Sequence, residues 1–346
     1  MAALSSLVKL SLNPVVSGAL LLALTQAPAS VREPLIDALR PYISPINLDR
    51  TVTGLKWLFG LGLYGIASKW LGDLAQNNFR LRSERHRYDW PKEIAVVTGA
   101  ASGFGRLISE SLASHGVNIM ALDLGDSLPK DMQSNPKIHY YKCDVTDPDT
   151  VNKVAAQIRS EHGDPSILIN NAGIAFDALI TDCKPAQVRR IFDVNIISHY
   201  YTIGAFVPAM IKAKKGHVVT LASMASFIST PPIVAYCNTK VAALSLHEGL
   251  TNELRSKKMH NAPEVKTTVV HPTFAATAMT TDFADTIQKS GMELIDPRVV
   301  SDAVVGQILK CKGGQIILNG KAPDLLSGIR GWPHWISSSL MNLVFR

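Results

Sequence analysis

The chain has 346 residues, of which 47 % are apolar, so it is long enough for one large α/β domain with an appendage. Its net charge of +7 is uneven, because residues 1–92 contain 11 Lys/Arg against 6 Asp/Glu, whereas the rest of the chain carries only +2. This distribution argues against a nucleic-acid-binding core and indicates a membrane surface as a partner of the N-terminal region. The four cysteines form no Cys-x-x-Cys pair, which predicts neither disulfides nor a metal site and indicates a reducing compartment.

Residues 1–88 are predicted to form a membrane-associated arm. Residues 15–27 have the length of a signal-peptide core, and removal of this stretch is one alternative. Residues 52–71 form the stronger apolar segment, but its uncharged centre, 57–68, is shorter than the ~20 residues that a membrane-spanning helix needs. The segment is therefore expected to span marginally or to lie in one leaflet, and an ordinary buried helix is the third alternative.

A basic linker, residues 77–88, follows the apolar segment. It contains four arginines and a single acidic residue, Glu84. Positive charge beside an apolar segment marks the cytosolic side of a membrane and can bind anionic lipid, although a solvated charged helix shows the same pattern. We therefore expect attachment to the endoplasmic reticulum or to lipid droplets, with the following domain facing the cytosol.

From residue 90 onward the pattern predicts a nucleotide-binding unit. A β-branched strand, 94–97, leads into Thr-Gly-Ala-Ala-Ser-Gly-Phe-Gly at 98–105, and a helix and a second strand follow. In this context Gly99 permits a tight turn, Gly103 lets the backbone approach a pyrophosphate, and Gly105 allows close helix packing. The N-terminus of the helix would face the anion.

Asp123 ends the second strand and bears on the choice of dinucleotide. Its carboxylate is placed to accept hydrogen bonds from the adenosine ribose hydroxyls and to repel a 2′-phosphate. Ser102 offers a phosphate no positive charge, which also favours NAD(H) over NADP(H). Arg106, just after the glycines, is the residue that argues for the opposite preference.

Tyr236 and Lys240 are four residues apart and share one face of a predicted helix. A tyrosine with a normal pKa of about 10 becomes a better acid/base near neutral pH if an adjacent ammonium lowers that pKa. The spacing alone is weak evidence, because a partly exposed helix turn would show it as well.

Together with these features, further matches identify a family. Residues 170–173 read Asn-Asn-Ala-Gly, and Ser223 precedes Tyr236 by 13 residues. Over roughly residues 92–320 the chain resembles the short-chain dehydrogenase/reductase family. The resemblance implies a doubly wound Rossmann fold of about seven parallel strands over residues 90–320, followed by an apolar C-terminal tail, 321–346. This tail could lie at a membrane interface, on the core or on a partner subunit.

The resemblance also implies the roles of individual residues. Tyr236 would be the general acid/base, Ser223 would orient the substrate oxygen, Lys240 would lower the pKa of Tyr236 and bind the nicotinamide ribose, and Asn195 would hold a water in a proton relay. Ser226 is a rival to Ser223 that fits the interval to Tyr236 less well. The implied cofactor-binding residues are Gly99, Ser102, Gly103, Phe104, Gly105, Asp123, Asp144, Asn171, Ala172, Gly173, Tyr236, Lys240, Pro272 and Thr277.

One departure from the family, one histidine and one apolar segment complete the comparison. Thr273 stands where many members have glycine, and His271 before it is interpreted as an ordinary strand end. Residues 274–295 are rich in Met, Phe, Ile and Leu and are predicted to cover an apolar substrate.

The sequence therefore predicts an NAD(P)(H)-dependent oxidoreductase that interconverts an alcohol and its carbonyl on a retinoid, a steroid or a long-chain lipid. A nucleotide-binding membrane or lipid-droplet scaffold with little turnover is the alternative from a different class. An isomerase or dehydratase of the same fold is a third possibility, although such enzymes usually lack part of the Ser–Tyr–Lys set. A homodimer is a candidate assembly.

Overall fold

The computed structural model describes residues 10–39, 45–81, 83–281, 294–320 and 324–344. The chain divides into two compact units, Met1–Ala75 and Gln76–Arg346. Most of the predicted substrate-covering segment, from residue 282 to residue 293, lies outside the described residues.

The first unit consists of α1 (Pro14–Thr25), α2 (Ala29–Leu39) and α3 (Pro45–Gln76). Glycines permit close contact within it, since a Cβ on Gly62 would lie 2.4 Å from the carbonyl oxygen of Leu12. A Cβ on Gly18 would lie 2.9 Å from the ring of Phe59. The predicted apolar segment 52–71 thus lies inside one helix of 32 residues that packs on the start of the chain.

Large apolar side chains are exposed all round α3. Trp57, Leu61, Tyr64, Ile66 and Trp70 each have more than half of their surface accessible within the chain. A helix that is apolar on every side normally lies in a core or in a membrane. The exposed apolar side chains of α3 form a surface that an aqueous environment does not favour.

Helix α3 is not among the described helices that are long and apolar enough to cross a membrane, because its glycines and lysines lower its hydropathy. The continuous stretch Pro185–Ala213 meets the criteria, but it is half buried and belongs to the second unit. Pro14–Thr25 and Ala29–Ala38 meet them only as a pair, which is bent by 108°.

The second unit contains a seven-stranded parallel sheet in the order β3-β2-β1-β4-β5-β6-β7. The predicted doubly wound fold is confirmed. The strands are β1 (Ile94–Thr98), β2 (Asn118–Asp123), β3 (Ile138–Lys142), β4 (Ile167–Asn170), β5 (Gly216–Leu221), β6 (Val265–Pro272) and β7 (Gly314–Leu318). The central strands are buried along their whole length, as expected for a sheet covered on both faces.

Helices cover both faces of the sheet. In chain order they are α4 (Gly103–Ser114), α5 (Lys130–Gln133), α6 (Pro148–Glu161), α7 (Pro185–Phe192), α8 (Ser198–Ala213), α9 (Val234–Arg255), α10 (Ala278–Thr281), α11 (Pro297–Leu309) and α12 (His334–Val344). Helices α4 and α11 pack with one apolar cluster, and α6, α8 and α9 pack with the other. The strand order reverses between β1 and β4, and ligands of such sheets bind at the carboxyl ends of the strands beside this reversal.

The predicted basic linker is attached to the second unit. Asn78 Nδ2 donates to the carbonyl of Pro263 at 2.8 Å, and Arg80 Nη1 pairs with Glu264 at 3.2 Å. Arg87 Nη1 donates to the carbonyl of Lys214 at 2.6 Å. Two of the four arginines therefore make internal contacts instead of being wholly available to lipid, while Arg82 lies outside the described residues.

Candidate active site

The glycine turn between β1 and α4 requires its glycines. Gly99 and Gly103 have φ values of +63° and +53°, which favour glycine. A Cβ on Gly105 would lie 2.1 Å from the carbonyl oxygen of Gly99 and 2.5 Å from Asn171 Nδ2. The turn can close in this form only if residue 105 has no side chain.

Hydrogen bonds from neighbouring strands hold the turn in place. Asp123 Oδ2 accepts from the backbone N–H of Ala101 at 2.8 Å, so the carboxylate at the end of β2 lies against the turn. Asn171 Nδ2 donates to the carbonyls of Thr98 and Gly99 at 2.9 and 3.0 Å. Ala172 donates its N–H to Thr98 Oγ1 at 3.0 Å.

The turn and α4 together fit a dinucleotide. Helix α4 begins at Gly103, and Ser102 before it makes no side-chain capping hydrogen bond, so no side chain of the N-cap competes for the first N–H groups. These groups and the helix dipole favour an anion such as a pyrophosphate. Thr277 Cγ2 would be 3.9 Å from a Cβ on Gly103, which places Thr277 beside the same turn. Phe104 follows in the first turn of α4.

Asp144 lies two residues after β3. Its Oδ1 accepts from the backbone N–H and the hydroxyl of Thr146, at 2.9 and 2.6 Å. Partial burial raises the pKa of this carboxyl, but the bonds from Thr146 outweigh burial and leave the pKa below its usual value. Asp144 is therefore an ionised hydrogen-bond acceptor at neutral pH, and its Oδ1 already accepts two hydrogen bonds from Thr146.

Asn195 lies in a π-helical turn, Asp193–Ile197, between α7 and α8. Its Oδ1 accepts from the N–H of Ile174 at 2.8 Å, and its Nδ2 donates to the carbonyl of Ile174 and to Thr239 Oγ1. Both amide hydrogens are thus used within the protein, and only Oδ1 keeps a free lone pair. A Cβ on Gly173 would lie 3.5 Å from that oxygen and 3.7 Å from Lys240 Nζ, so the three groups meet at one point.

Ser223, Tyr236 and Lys240 converge beyond the carboxyl end of β5. The side chain of Ser223 lies beside the Tyr236 hydroxyl and acts to lower its pKa. Lys240 Nζ lies 5.4 Å from the centre of the Tyr236 ring. Ser226 has a different place, since its buried hydroxyl donates to the carbonyl of Lys240 at 2.9 Å. Of the two serines, Ser223 is the one in contact with the tyrosine.

The predicted lowering of the Tyr236 pKa by Lys240 is wrong for this structure. Burial raises the pKa of Tyr236 to about 12, and the neighbouring Ser223 side chain offsets only part of that rise. Burial also lowers the pKa of Lys240 to about 8. Burial is thus the main influence on both pKa values, and Tyr236 carries its proton at neutral pH.

A sequence profile of the family described as short chain dehydrogenase matches residues 93–288. The chain belongs to the short-chain dehydrogenase family. Members of this family bind NAD(P)(H) and are oxidoreductases, and the profile covers the glycine turn, Asn195, Ser223, Tyr236 and Lys240.

Relatives with known names extend the comparison. The chain is 39 % identical over 244 residues to Dehydrogenase RED2 of Cochliobolus heterostrophus, covering 70 % of this chain and 88 % of that protein. It is 34 % identical over 190 residues to human Estradiol 17-beta-dehydrogenase 11, covering 54 % of this chain and 62 % of that protein. It is 35 % identical over 225 residues to mouse Epidermal retinol dehydrogenase 2, covering 63 % of this chain and 71 % of that protein.

A solved structure agrees with the fold. A short-chain dehydrogenase from Streptomyces avermitilis superposes with a TM-score of 0.61 at 24 % identity and covers 72 % of this chain and 96 % of its own. At this identity the likeness shows the fold alone.

Sequence reasoning missed two residues of the site. Thr239 contacts Asn195, and no pattern distinguishes it from an ordinary helical threonine. His271 was interpreted as a strand end, but its Nδ1 lies 3.0 Å from the carbonyl oxygen of Ser223. A histidine directly after two valines, at the end of a buried strand, was the available signal.

Proposed function

We propose that this protein is an NAD(H)-dependent dehydrogenase/reductase that interconverts an alcohol and its carbonyl on a lipophilic substrate. The observation that carries the proposal is the convergence of Ser223, Tyr236 and Lys240 at the end of the sheet where the glycine turn also lies. A dinucleotide bound at that turn supplies hydride transfer to or from the substrate carbon.

The side chains supply the proton chemistry. Tyr236, protonated at neutral pH, donates its phenolic proton to the substrate oxygen in the reductive direction and takes the alcohol proton in the oxidative direction. Ser223, whose side chain lies beside the Tyr236 hydroxyl, orients the same oxygen. Lys240 contributes a positive charge near the phenol and a donor for the nicotinamide ribose. Asn195 holds the loop after β4 against α9 and presents its remaining oxygen lone pair near Lys240 Nζ.

The remaining proposed cofactor contacts surround the turn. Gly99, Ser102, Gly103, Phe104 and Gly105 would bind the pyrophosphate with backbone groups. Asp144 would contact the adenine ring. Asn171, Ala172, Gly173, Pro272 and Thr277 would border the ribose and nicotinamide.

The preference for NAD(H) rests on the charges beside the turn. The Asp123 carboxylate lies against Ala101, where it would repel a 2′-phosphate. Arg106, the cation that could reverse this effect, is bonded to Glu110 at 2.8 Å and also pairs with Asp131. Because two carboxylates already engage this guanidinium, it is a poor partner for a third anion.

The substrate class rests on apolar surface and on the relatives. Exposed apolar side chains lie on the segments that follow β4 and β6, namely Ile174, Leu179, Ile180, Met279 and Leu294. Relatives whose names specify estradiol and retinol act on lipophilic alcohols, so a retinoid, a steroid or a long-chain lipid is the proposed substrate of this chain.

The proposed location is the endoplasmic reticulum or lipid droplets, with residues 76–344 facing the cytosol. The large exposed apolar side chains of α3 support attachment to a membrane, and insertion into one leaflet is the proposed mode. We expect the membrane surface and the small substrate as partners, no nucleic acid, and a homodimer as the assembly to test by light scattering in detergent.

A direct assay tests the proposal. Purified full-length protein in detergent is mixed with NAD⁺ or NADP⁺ and with retinol, a steroid alcohol or a fatty alcohol, and nicotinamide absorbance is followed. The same is done in reverse with the carbonyl compounds. Turnover that depends on Tyr236 supports the proposal. Nucleotide binding without turnover on any of these classes would favour the alternative, a nucleotide-binding scaffold on a membrane or lipid droplet.

A further inference from the structure

His271, near the end of β6, is a buried titratable residue that the proposed chemistry does not use. It has no exposed surface, and its ring centre lies 4.6 Å from that of Phe227. Its Nδ1 lies 3.0 Å from the backbone carbonyl oxygen of Ser223. A carbonyl oxygen can only accept, so Nδ1 must carry the hydrogen of this bond.

The imidazole is neutral at physiological pH. Burial lowers the pKa of His271 to about 4, and the nearby positive charge of Lys240 lowers it as well, although the bond to Ser223 has the opposite effect. The single ring proton is therefore on Nδ1, and Nε2 is an acceptor. In the described part of the chain Nε2 has no hydrogen-bond partner.

An unpaired buried acceptor destabilises a protein, and an apolar side chain of similar size would avoid that cost. Packing alone therefore gives no reason for histidine at this place. What histidine provides here, and leucine would not, is the donor at Nδ1 that contacts Ser223.

The same end of β6 holds Ser223 by a second contact. The Ser223 hydroxyl lies 3.4 Å from the carbonyl oxygen of Pro272, to which it donates. The Ser223 carbonyl also accepts from the N–H of Ser226 at 2.9 Å, and the Ser226 hydroxyl donates to the carbonyl of Lys240. His271 is thus the side chain of β6 that bonds the backbone of the proposed catalytic serine, beside the contact from the Ser223 hydroxyl to Pro272.

We propose that His271 is a positioning residue for Ser223, fixing the peptide that carries the serine so that its hydroxyl faces Tyr236. The inference rests on the proposed function, because it assigns His271 a role only through Ser223. A displaced Ser223 would lower the rate of the chemical step and leave dinucleotide binding at the glycine turn unchanged.

Two variants with the same chemical group separate positioning from packing. His271→Asn places an amide N–H near the position of Nδ1, where it can donate to the Ser223 carbonyl. His271→Gln places the same amide near Nε2, one bond too far. His217→Gln is the matched control, since His217 is equally buried in β5 but bonds to Thr268 at 2.8 Å, at the opposite end of the strand.

The measurements are kcat, KM, the Kd for NADH and the melting temperature of the full-length protein. We expect His271→Gln to lose kcat on the order of 10- to 100-fold with an unchanged Kd for NADH. His271→Asn should keep kcat within a small factor of wild type. His217→Gln should also keep kcat, because its amide lies near the Nε2 position that bonds Thr268.

Equal activity of the Asn and Gln variants, whether both high or both low, overturns the positioning role. If the Gln variant does not fold, the Asn variant alone decides. A loss of kcat in a folded Asn variant then overturns the positioning role, and full activity of the Asn variant supports it. A control assay of Tyr236→Phe separates the two proposals. Normal turnover of Tyr236→Phe removes the proposed function itself, whereas an inactive Tyr236→Phe with a fully active His271→Gln removes only the inference about His271.

Discussion

Lys240 Nζ donates a 2.7 Å hydrogen bond to the carbonyl oxygen of Leu221, the last residue of β5. This bond joins α9 to the strand that leads into Ser223 and holds the ammonium 5.4 Å from the Tyr236 ring centre. The lysine is therefore fixed at the point where the serine and the tyrosine meet, while burial holds the pKa of Tyr236 above its usual value.

Replacing Tyr236 with phenylalanine removes the proposed proton donor and little else. We expect the loss of a general acid/base to reduce kcat by roughly 10²–10⁴-fold. NADH binding, measured by fluorescence titration, should be preserved because the glycine turn does not depend on the hydroxyl. Activity close to that of wild type would show that another group moves the proton.

The buried ammonium predicts a specific dependence of stability on pH. The pKa of Lys240 is about 8 in the folded protein against a usual 10.5, so between these values the unfolded state binds more protons than the folded state. The free energy of unfolding must then rise with pH across this window, and the cost of burying the charge applies fully below pH 8.

Lys240→Met should remove this rise. Denaturant unfolding at intervals from pH 7 to pH 10 measures the free energy of unfolding of wild type and variant. The difference between these two free energies should shrink as pH increases. The total change is on the order of 3 kcal/mol if the whole pKa shift is expressed. The comparison with the variant cancels Lys266, another lysine whose pKa burial lowers to about 8. A difference that does not change with pH would mean that Lys240 is not desolvated as described.

Gly105→Ala tests the geometry of the glycine turn. Because the new Cβ would lie 2.1 Å from the carbonyl oxygen of Gly99, backbone must move, and we expect NADH affinity to fall by at least about tenfold, which equals 1.4 kcal/mol. Gly249→Ala is the control, since this helical glycine in α9 has no atom within 4 Å of its Cβ position. Alanine there should leave binding unchanged and add up to about 1 kcal/mol of stability.

The sequence was sufficient for local features and insufficient for those that depend on distant contacts. The strand–turn–helix order around Gly99 and Gly105 predicted the first βα unit, because turn glycines act within a few residues. The contact between Arg80 and Glu264 joins residues that are 184 positions apart, and no local pattern could indicate it. The pKa of Tyr236 depends on the depth of burial of the folded site, so the Tyr–Lys spacing alone gave the wrong direction.

Asp123→Asn tests the choice of cofactor. The amide oxygen can still accept from Ala101 in the glycine turn, while the negative charge and the second acceptor, which Leu124 uses, are lost. We expect NAD(H) to bind more weakly and discrimination against NADP(H) to fall, as measured by the ratio of kcat/KM values. Arg106→Leu should not improve rejection of NADP(H) if its ion pairs already occupy the guanidinium. A wild-type protein that prefers NADP(H) would contradict the role given to Asp123.

The position of the boundary between arm and catalytic unit gives the last prediction. The first unit ends at Ala75, and the following residues make contacts that a cut at residue 88 would remove. Gln76 Oε1 accepts from the N–H of Gln315 at 2.9 Å, and Asn78 and Arg80 contact Pro263 and Glu264. These bonds hold the amino ends of β6 and β7.

We therefore expect a chain of residues 76–346 to be soluble, to bind NADH and to melt at a higher temperature than a chain of residues 89–346. Arg80→Ala in the longer chain should lower its melting temperature part of the way towards that of the shorter chain, because the substitution removes the ion pair with Glu264. The full-length protein should sediment with membranes, and protease added to intact microsomes should digest residues 76–346, since they are proposed to face the cytosol. Equal melting temperatures would show that residues 76–88 are a passive linker, and protection from protease until detergent is added would reverse the proposed orientation.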